Sequence, residues 1–329
     1  MAAIVVEDLR KSYGNTHAVQ GVSFTVDEGQ CVALLGPNGA GKTTTLEVLE
    51  GYLRRDSGTV EVLGTDPQHA TRAWREQVGI VLQGTAVDPY LTVHETLSRT
   101  AGFYANPRDV DEVIGLVGLE EKTHSRINKL SGGQQRRLDV AYGIVGNPKL
   151  LFLDEPTTGF DPSARRGAWD LVNDLRGLGT TIVLTTHYMD EAQALADNIV
   201  VIGSGQIVAT GTPDSLGGRD TAALQIRFRL PGGVDPATLP VPVTVDHHGF
   251  CQLTTNDDIK DLNTLTSWSL KQRVPLEGLV ATRPSLEDIY LSLVGRDLLD
   301  EEALPDPAGS PSGAAASGPS NGRKVGQRA

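Results

Sequence analysis

The chain is expected to be an α/β protein built on a mostly parallel sheet, and three observations carry that expectation. From Ala3 to about Gly211, short β-branched or apolar runs alternate with longer helical ones. Several of these runs, such as LLFLD at Leu150–Asp154 and TTIVLTT from Thr180, are continuous rather than alternating. Strands of that kind are covered on both faces, as when helices lie above and below a parallel sheet. The third is composition. With 39% hydrophobic and 21% charged residues over 329 positions, the chain is an ordinary globular sequence, long enough for one large domain and a smaller one.

Taken in order, strands are expected at Gly21–Val26, Gln30–Leu35, Thr59–Leu63, Val78–Leu82, Leu150–Asp154, Thr180–Thr185 and Asn198–Ile202. A helix is expected over Thr44–Tyr52. Between 88 and 147 the β-branched runs fade. Val110–Leu119 places apolar residues at 110, 113, 114 and 117, one helical stripe, so this stretch reads as a helical insertion. A further helix is expected over Arg137–Val145.

After Gly211 the character changes. Leu224, Ile226, Phe228 and Leu230 alternate with other residues, as do Val241, Val243 and Val245, the pattern of half-buried antiparallel strands. Ser285 and Asp288 have the spacing of a capping box and open a short amphipathic helix through Val294. The expected division is a main domain over 1–220, a small α+β accessory domain over 221–298 and a disordered tail over 299–329. Within that tail, 305–322 are almost entirely Pro, Gly, Ser and Ala.

A net charge of −12 weighs against partners that bind by non-specific attraction to phosphate, so no nucleic-acid partner is expected. Cys31 and Cys251 are too few for a disulfide framework or zinc site and read as small buried hydrophobes. No apolar run approaches the roughly 18–20 residues that cross a bilayer, and the N-terminus lacks the bases and apolar core of a signal peptide. The expected location is cytoplasmic, with any membrane contact made through a partner.

Chemistry first becomes legible at Gly36-Pro37-Asn38-Gly39-Ala40-Gly41-Lys42-Thr43, followed by Thr44. An apolar strand precedes this phosphate-loop pattern and a helix follows it. Glycines let backbone N–H groups curl round phosphate oxygens, and the helix start adds partial positive charge. Lys42 is suited to the β- and γ-phosphates, and the Thr43 hydroxyl to Mg²⁺.

Asp154 and Glu155 close a buried strand, and the carboxyl edge of an α/β sheet is where ligands sit. Asp154 suits Mg²⁺, and Glu155 suits polarising an attacking water. Leu130-Ser131-Gly132-Gly133-Gln134 supplies a second anion-binding helix start, with Ser131 at the cap and glycines baring the amides.

With LSGGQ, the chain resembles the ATP-binding cassette (ABC) family over about residues 3–215. The resemblance implies a P-loop NTPase core with a mostly parallel sheet, an N-terminal antiparallel β part and a helical insertion. It implies ATP and Mg²⁺ as ligands, and hydrolysis of ATP to ADP and phosphate. It also implies that two copies pack head to tail, so that the Ser131–Gln134 loop of one closes on the ATP held by the Lys42 of the other.

Further positions match the family singly. Gln83 corresponds to a glutamine near Mg²⁺ and the lytic water, and His187 to a histidine at the γ-phosphate. Asp161 corresponds to a loop aspartate that crosses the dimer interface, with Phe160 where Leu is commoner, and Tyr13 to an aromatic stacked on adenine. The other histidines fit no ligand spacing.

The segment Pro284–Tyr290 and the α+β stretch before it look like the extension of bacterial daunorubicin/doxorubicin-resistance ATPases. That likeness implies an ATPase subunit on the inner face of the membrane, bound to an integral permease and driving export of a hydrophobic or amphipathic compound such as a drug. Lipid, polysaccharide or peptide cargo stays open, as does a non-transport role on chromosomes or ribosomes. Against the chromosome-type role, no heptad arms separate Lys42 from Asp154.

Overall fold

A computed structural model describes residues 1–81 and 88–293. The expectations placed on Gln83 and on the tail 299–329 lie outside the described residues.

The chain opens with a long hairpin, β1 (Ala2–Tyr13) and β2 (Thr16–Asp27). After β3 (Cys31–Leu35) and α1 (Lys42–Leu49), β4 (Ser57–Val62) returns to pair with β1, giving an antiparallel sheet of order β2-β1-β4. Next come α2 (Arg72–Arg75), β5 (Val78–Val81), then α3 (Val93–Ala101), α4 (Val110–Leu116) and α5 (Gly132–Ile144). The main domain ends with β6 (Leu150–Asp154), α6 (Pro162–Gly177), β7 (Thr181–Thr186), α7 (Met189–Leu195), β8 (Asn198–Gly203) and β9 (Gln206–Gly211). The central sheet has the order β5-β6-β7-β3-β8-β9, parallel throughout except for β9.

The continuous apolar runs have a direct structural cause. In β3, Cys31, Ala33 and Leu35 enter a core shared with α3, α5, α6 and α7, whereas Val32 and Leu34 enter a second core shared with α1 and the antiparallel sheet. β6 divides in the same way, with Leu151 and Leu153 on one face and Leu150 and Phe152 on the other. Each strand alternates, but both of its faces meet apolar neighbours.

Two strands of the main domain escaped the sequence reading, as did those at Phe250–Thr255 and Glu277–Thr282 beyond it. In β1 the alternation fails where Asp8 takes a positive φ of 46° and the register shifts between Val6 and Leu9. β9 is an edge strand whose Ile207, Val208 and Ala209 are only half-buried against the two cores, a run too short and too little alternating to mark a strand. Helix ends also moved. Left-handed glycines terminate two of them: Gly51 (φ 78°) follows α1, and Gly118 (φ 63°) follows α4. α5 begins five residues before the expected Arg137, because the Ser131 cap makes Gly132 and Gly133 helical.

The C-terminal part is a second antiparallel sheet. It contains β10 (Leu224–Arg229), β11 (Thr244–Val245), β12 (Phe250–Thr255) and β13 (Glu277–Thr282) in the order β11-β12-β10-β13, with α8 (Asp258–Gln272) between the last two strands. β10 buries Leu224, Ile226 and Phe228 and exposes the residues between them. The strand expected over Val241–Val245 is a correction, because only Thr244 and Val245 pair. Pro240 and Pro242 have no N–H to give a ladder, and Val241 is buried without being in a strand. A helix, α9 (286–293), follows a capping box in which Ser285 N–H donates to Asp288 at 2.9 Å and Asp288 N–H donates to Ser285 Oγ at 3.1 Å. Its Leu286 and Tyr290 pack into the same core as Leu216 and α7. Among the described residues no helix is long and apolar enough to cross a membrane.

Candidate nucleotide site

The loop between β3 and α1 is shaped by what its glycines must avoid. A Cβ on Gly36 would sit 2.2 Å from the Ile202 carbonyl oxygen, and one on Gly41 (φ 98°) would sit 2.2 Å from that of Ala18. Both contacts are with backbone, so neither can relax cheaply. No side chain caps the start of α1, which leaves its first N–H groups for a ligand. Inside the loop, the buried Lys42 ammonium donates to the carbonyls of Gly36 at 2.8 Å and Pro37 at 3.0 Å. Burial lowers its pKa, while the charges of Glu155 and Asp154 work the other way. Thr43 is exposed and Thr44 half-buried on the first turn.

Opposite the loop, parallel pairing of β6 with β7 sets Asp154 beside Thr185. The Thr185 hydroxyl donates to Asp154 Oδ1 at 2.5 Å and accepts from the Glu155 N–H at 3.0 Å. Glu155 has a positive φ of 44°, a strained value for a residue with a Cβ. Its carboxylate is only 14% exposed and touches two groups, Thr158 Oγ1 at 3.0 Å and His187 Nδ1 at 3.3 Å. The imidazole stacks on Tyr188, with ring centres 4.0 Å apart, and Arg165 lies over that Tyr ring.

The buried Arg136, in the first turns of α5, donates to the carbonyls of Pro156 at 3.1 Å and Asp154 at 3.2 Å, and it pairs with Asp139 at 3.7 Å. Burial lowers its pKa, and the acids nearby oppose that. One guanidinium thus ties the helix that starts at Ser131 to the strand end that carries Asp154 and Glu155.

Lys42, Asp154, Glu155 and His187 therefore form one group. Among the described residues, Ser131 hydrogen-bonds to none of these four. Its hydroxyl accepts from Gln134 N–H at 3.3 Å, and Gln134 Oε1 accepts from Ser131 N–H at 3.0 Å. A Cβ on Gly132 or Gly133 would meet no atom within 4 Å, so this helix start faces open space. Asp161 caps α6, accepting from the N–H groups of Ala164 and Ser163, which hold its carboxyl below the usual range. Tyr13, at the end of β1, is 49% exposed. Among the described residues, neither Asp161 nor Tyr13 hydrogen-bonds to the Lys42 group.

Sequence reasoning missed Thr185, Thr158 and Arg136. Thr185 lay inside a β-branched run and read as strand only, although its period-two position beside Asp154 could have been found once the strand order was known. Arg136 directly follows the LSGGQ segment and its second glutamine, and nothing local marks it as buried.

A family model described as ABC transporter matches residues 19–158, and one described as ABC transporter domain-containing protein-like, C-terminal domain, matches 225–285. The chain is 39% identical over 308 residues to Nod factor export ATP-binding protein I of Ralstonia nicotianae, covering 90% of this chain and 94% of that one. It is 36% identical to daunorubicin resistance ATP-binding protein DrrA3 of Streptomyces coeruleorubidus, covering 92% and 98% respectively. Among solved structures, cbiO1 of Clostridium perfringens, part of the ABC transporter complex cbiONQ, superposes with a TM-score of 0.59 at 30% identity. That match covers 65% of this chain and 90% of cbiO1.

Proposed function

This chain belongs to the ABC transporter family of ATP-binding proteins and is an ATPase coupled to transport, and from that premise we propose that two copies close head to tail around ATP. Each holds a triphosphate at its own Lys42 and covers, with its Ser131 loop, the triphosphate held by the other. The observation that carries this reading is that one chain has two anion-ready helix starts. α1 begins uncapped beside Asp154 and Glu155, whereas α5 begins in open space with Gly132 and Gly133 uncovered.

In this reading, Lys42 exchanges the carbonyls of Gly36 and Pro37 for the β- and γ-phosphates, replacing neutral acceptors with charged ones. Glu155 takes the proton from the attacking water. His187 reaches the γ-phosphate and, with Thr158, keeps the Glu155 carboxylate aimed. The exposed Thr43 hydroxyl and the Asp154 carboxylate are hard oxygen donors that suit Mg²⁺. Held there, Mg²⁺ would supply Lewis-acid stabilisation of the charge on the triphosphate. Tyr13 stacks on adenine, and Asp161 lies at the interface between copies.

Closing and reopening of the pair is passed to a separate integral membrane permease through the helical-insertion residues around Asp88–Tyr104, and the permease holds the chain at the inner membrane face. The relatives named for Nod factor export and daunorubicin resistance support an exporter. We read its cargo as a hydrophobic or amphipathic compound such as a drug. Co-reconstitution with the permease and a transport assay over drugs, lipids, oligosaccharides and peptides tests the cargo.

The dimer has a sharper test. Lys42→Ala and Ser131→Arg chains should each be inactive, yet their mixture should recover roughly a quarter of wild-type turnover, since half the dimers then hold one intact site. A mixture that recovers nothing, with a chain that stays monomeric on a non-hydrolysable ATP analogue, overturns the reading.

A further inference from the structure

Helices α5 and α6 enclose a space that none of Lys42, Asp154, Glu155 and His187 lines. On α5, Gly133, Arg137 and Val140 follow one another at helical spacing and share a face. Ala164 and Ala168 of α6 line the same space, together with the apolar Leu153, Leu171 and Val172. The cavity measures about 320 Å³, at the small end of the range for ligand sites.

Its charge is one-sided. In a chain of net charge −12, the lining holds two arginines, Arg136 and Arg137, and no acid. Arg136 is committed to the carbonyls of Pro156 and Asp154 and to Asp139. Arg137 has no acid partner among the described residues. Its Nη1 donates to the carbonyls of Val117 and Gly118, each at 3.3 Å, and its Nε and Nη2 donate to no group there.

The guanidinium of Arg137 is also held in place. A Cβ on Gly118 would sit 2.7 Å from Nη1 and one on Gly167 would sit 3.0 Å from Nη2, so two glycines admit the fork between the end of α4 and α6. A half-buried, fixed cation with spare donors in the wall of an apolar cavity suits the charged end of an amphipathic anion, because a guanidinium can grip a carboxylate through paired N–H bonds. The start of α5 adds partial positive charge to the same wall.

We infer that this cavity binds a small amphipathic acid, with its carboxylate on Arg137 and its apolar chain among Val140, Leu153, Leu171 and Val172. The short side chains of Ala164 and Ala168 leave room for that chain. Ser131 and Phe160 line the cavity too, so a bound acid lies against the two loops assigned above to the interface between copies. Binding itself does not depend on that assignment, because every wall belongs to one chain.

Calorimetric titration of the nucleotide-free full chain with sodium octanoate tests this, with octan-1-ol as the neutral counterpart and n-octylammonium chloride as the opposite charge. Saturable octanoate binding is expected, about tenfold or more tighter than either control. Ala168→Leu puts a side chain into the space and leaves Arg137 in place. It should weaken octanoate by about tenfold or more without lowering Tm. Arg137→Gln should weaken octanoate by about tenfold and leave octanol unchanged. Should that variant fail to fold, Ala168→Leu and the two controls still decide. Excess ADP should leave octanoate affinity unaltered, since the cavity shares no residue with the Lys42 group. No saturable octanoate binding, octanol or octylammonium binding as tightly, or unaltered octanoate affinity in either folded variant overturns the inference. Displacement by ADP also overturns it, by placing the acid in the phosphate loop.

Discussion

The Nδ1 atom of His187 stands 3.3 Å from Oε1 of Glu155, and the two side chains come from the ends of neighbouring parallel strands. Because β6 and β7 run in register, Asp154 opposite Thr185, the residues just beyond each strand are carried to the same place. His187→Ala should keep ATP binding but lower turnover about 100-fold, the range for removing one positioned polar group at a reacting centre. Equilibrium nucleotide binding beside steady-state hydrolysis checks this; a loss of affinity with unchanged turnover goes against it.

Glu155 carries both a chemical role and a strained backbone. Glu155→Gln should bind ATP, hydrolyse it at least 100-fold more slowly and accumulate as a nucleotide-bound dimer on size exclusion. The strain is tested separately. At φ 44°, Glu155→Gly should be more stable than Glu155→Ala by about 1 kcal/mol, since both lose the Thr158 contact but only Ala keeps a Cβ. Chemical denaturation of the two variants reads the difference.

Gly133 and Gly36 should respond differently to the same substitution. Gly133→Ala meets open space, so the single chain should keep its Tm or gain slightly from helix propensity. If the partner's triphosphate docks there, ATP-driven dimerisation and turnover should nevertheless fall by about tenfold or more. Gly36→Ala drives a Cβ to 2.2 Å from the Ile202 carbonyl oxygen and should lower Tm and ATP affinity together. Paired melting and size-exclusion measurements separate the two behaviours.

Arg136 is the tie between the Ser131 helix and the Asp154 strand end. Arg136→Ala leaves the carbonyls of Asp154 and Pro156 without this donor and should cost about 3 kcal/mol. Urea unfolding should show it. A cost below about 0.5 kcal/mol would mean that these carbonyls find other donors.

Asp66 supplies a pH signature away from the site. Arg55 grips its carboxylate with two 2.8 Å bonds, and that hydrogen bonding holds its pKa at about 2, below the ordinary 3.8. A depressed acid contributes stability above its unfolded pKa and loses it as pH falls through the folded one. Asp66→Asn should therefore lower stability by about 1 kcal/mol near neutrality, since solvent screens this partly exposed pair, and by only a small fraction of that at pH 2. Denaturation profiles between pH 2 and pH 7 check the convergence.

How much of this was legible beforehand depended on whether a feature is local. The strand LLFLD and the glycines, Lys42 and Thr43 of the phosphate loop each announce themselves within a few residues, because close backbone approach and two-sided burial constrain residue type at each position. Where a local rule was broken the reading failed. Asp8 interrupted β1 with a positive φ, and two prolines reduced the expected Val241–Val245 strand to a pair of residues.

Residue order thus decided the fold class, the two anion-ready helix starts and the acids at the end of β6, since turn geometry and hydrophobic period act over short stretches of chain. Only tertiary packing decided that Thr185 holds both Asp154 and Glu155, that Arg136 lies buried against the carbonyls of Asp154 and Pro156, and that Arg137 stands in a cavity wall with no acid partner among the described residues. Those relations depend on which strands become neighbours and on how much water is left between distant segments, and no local pattern encodes either.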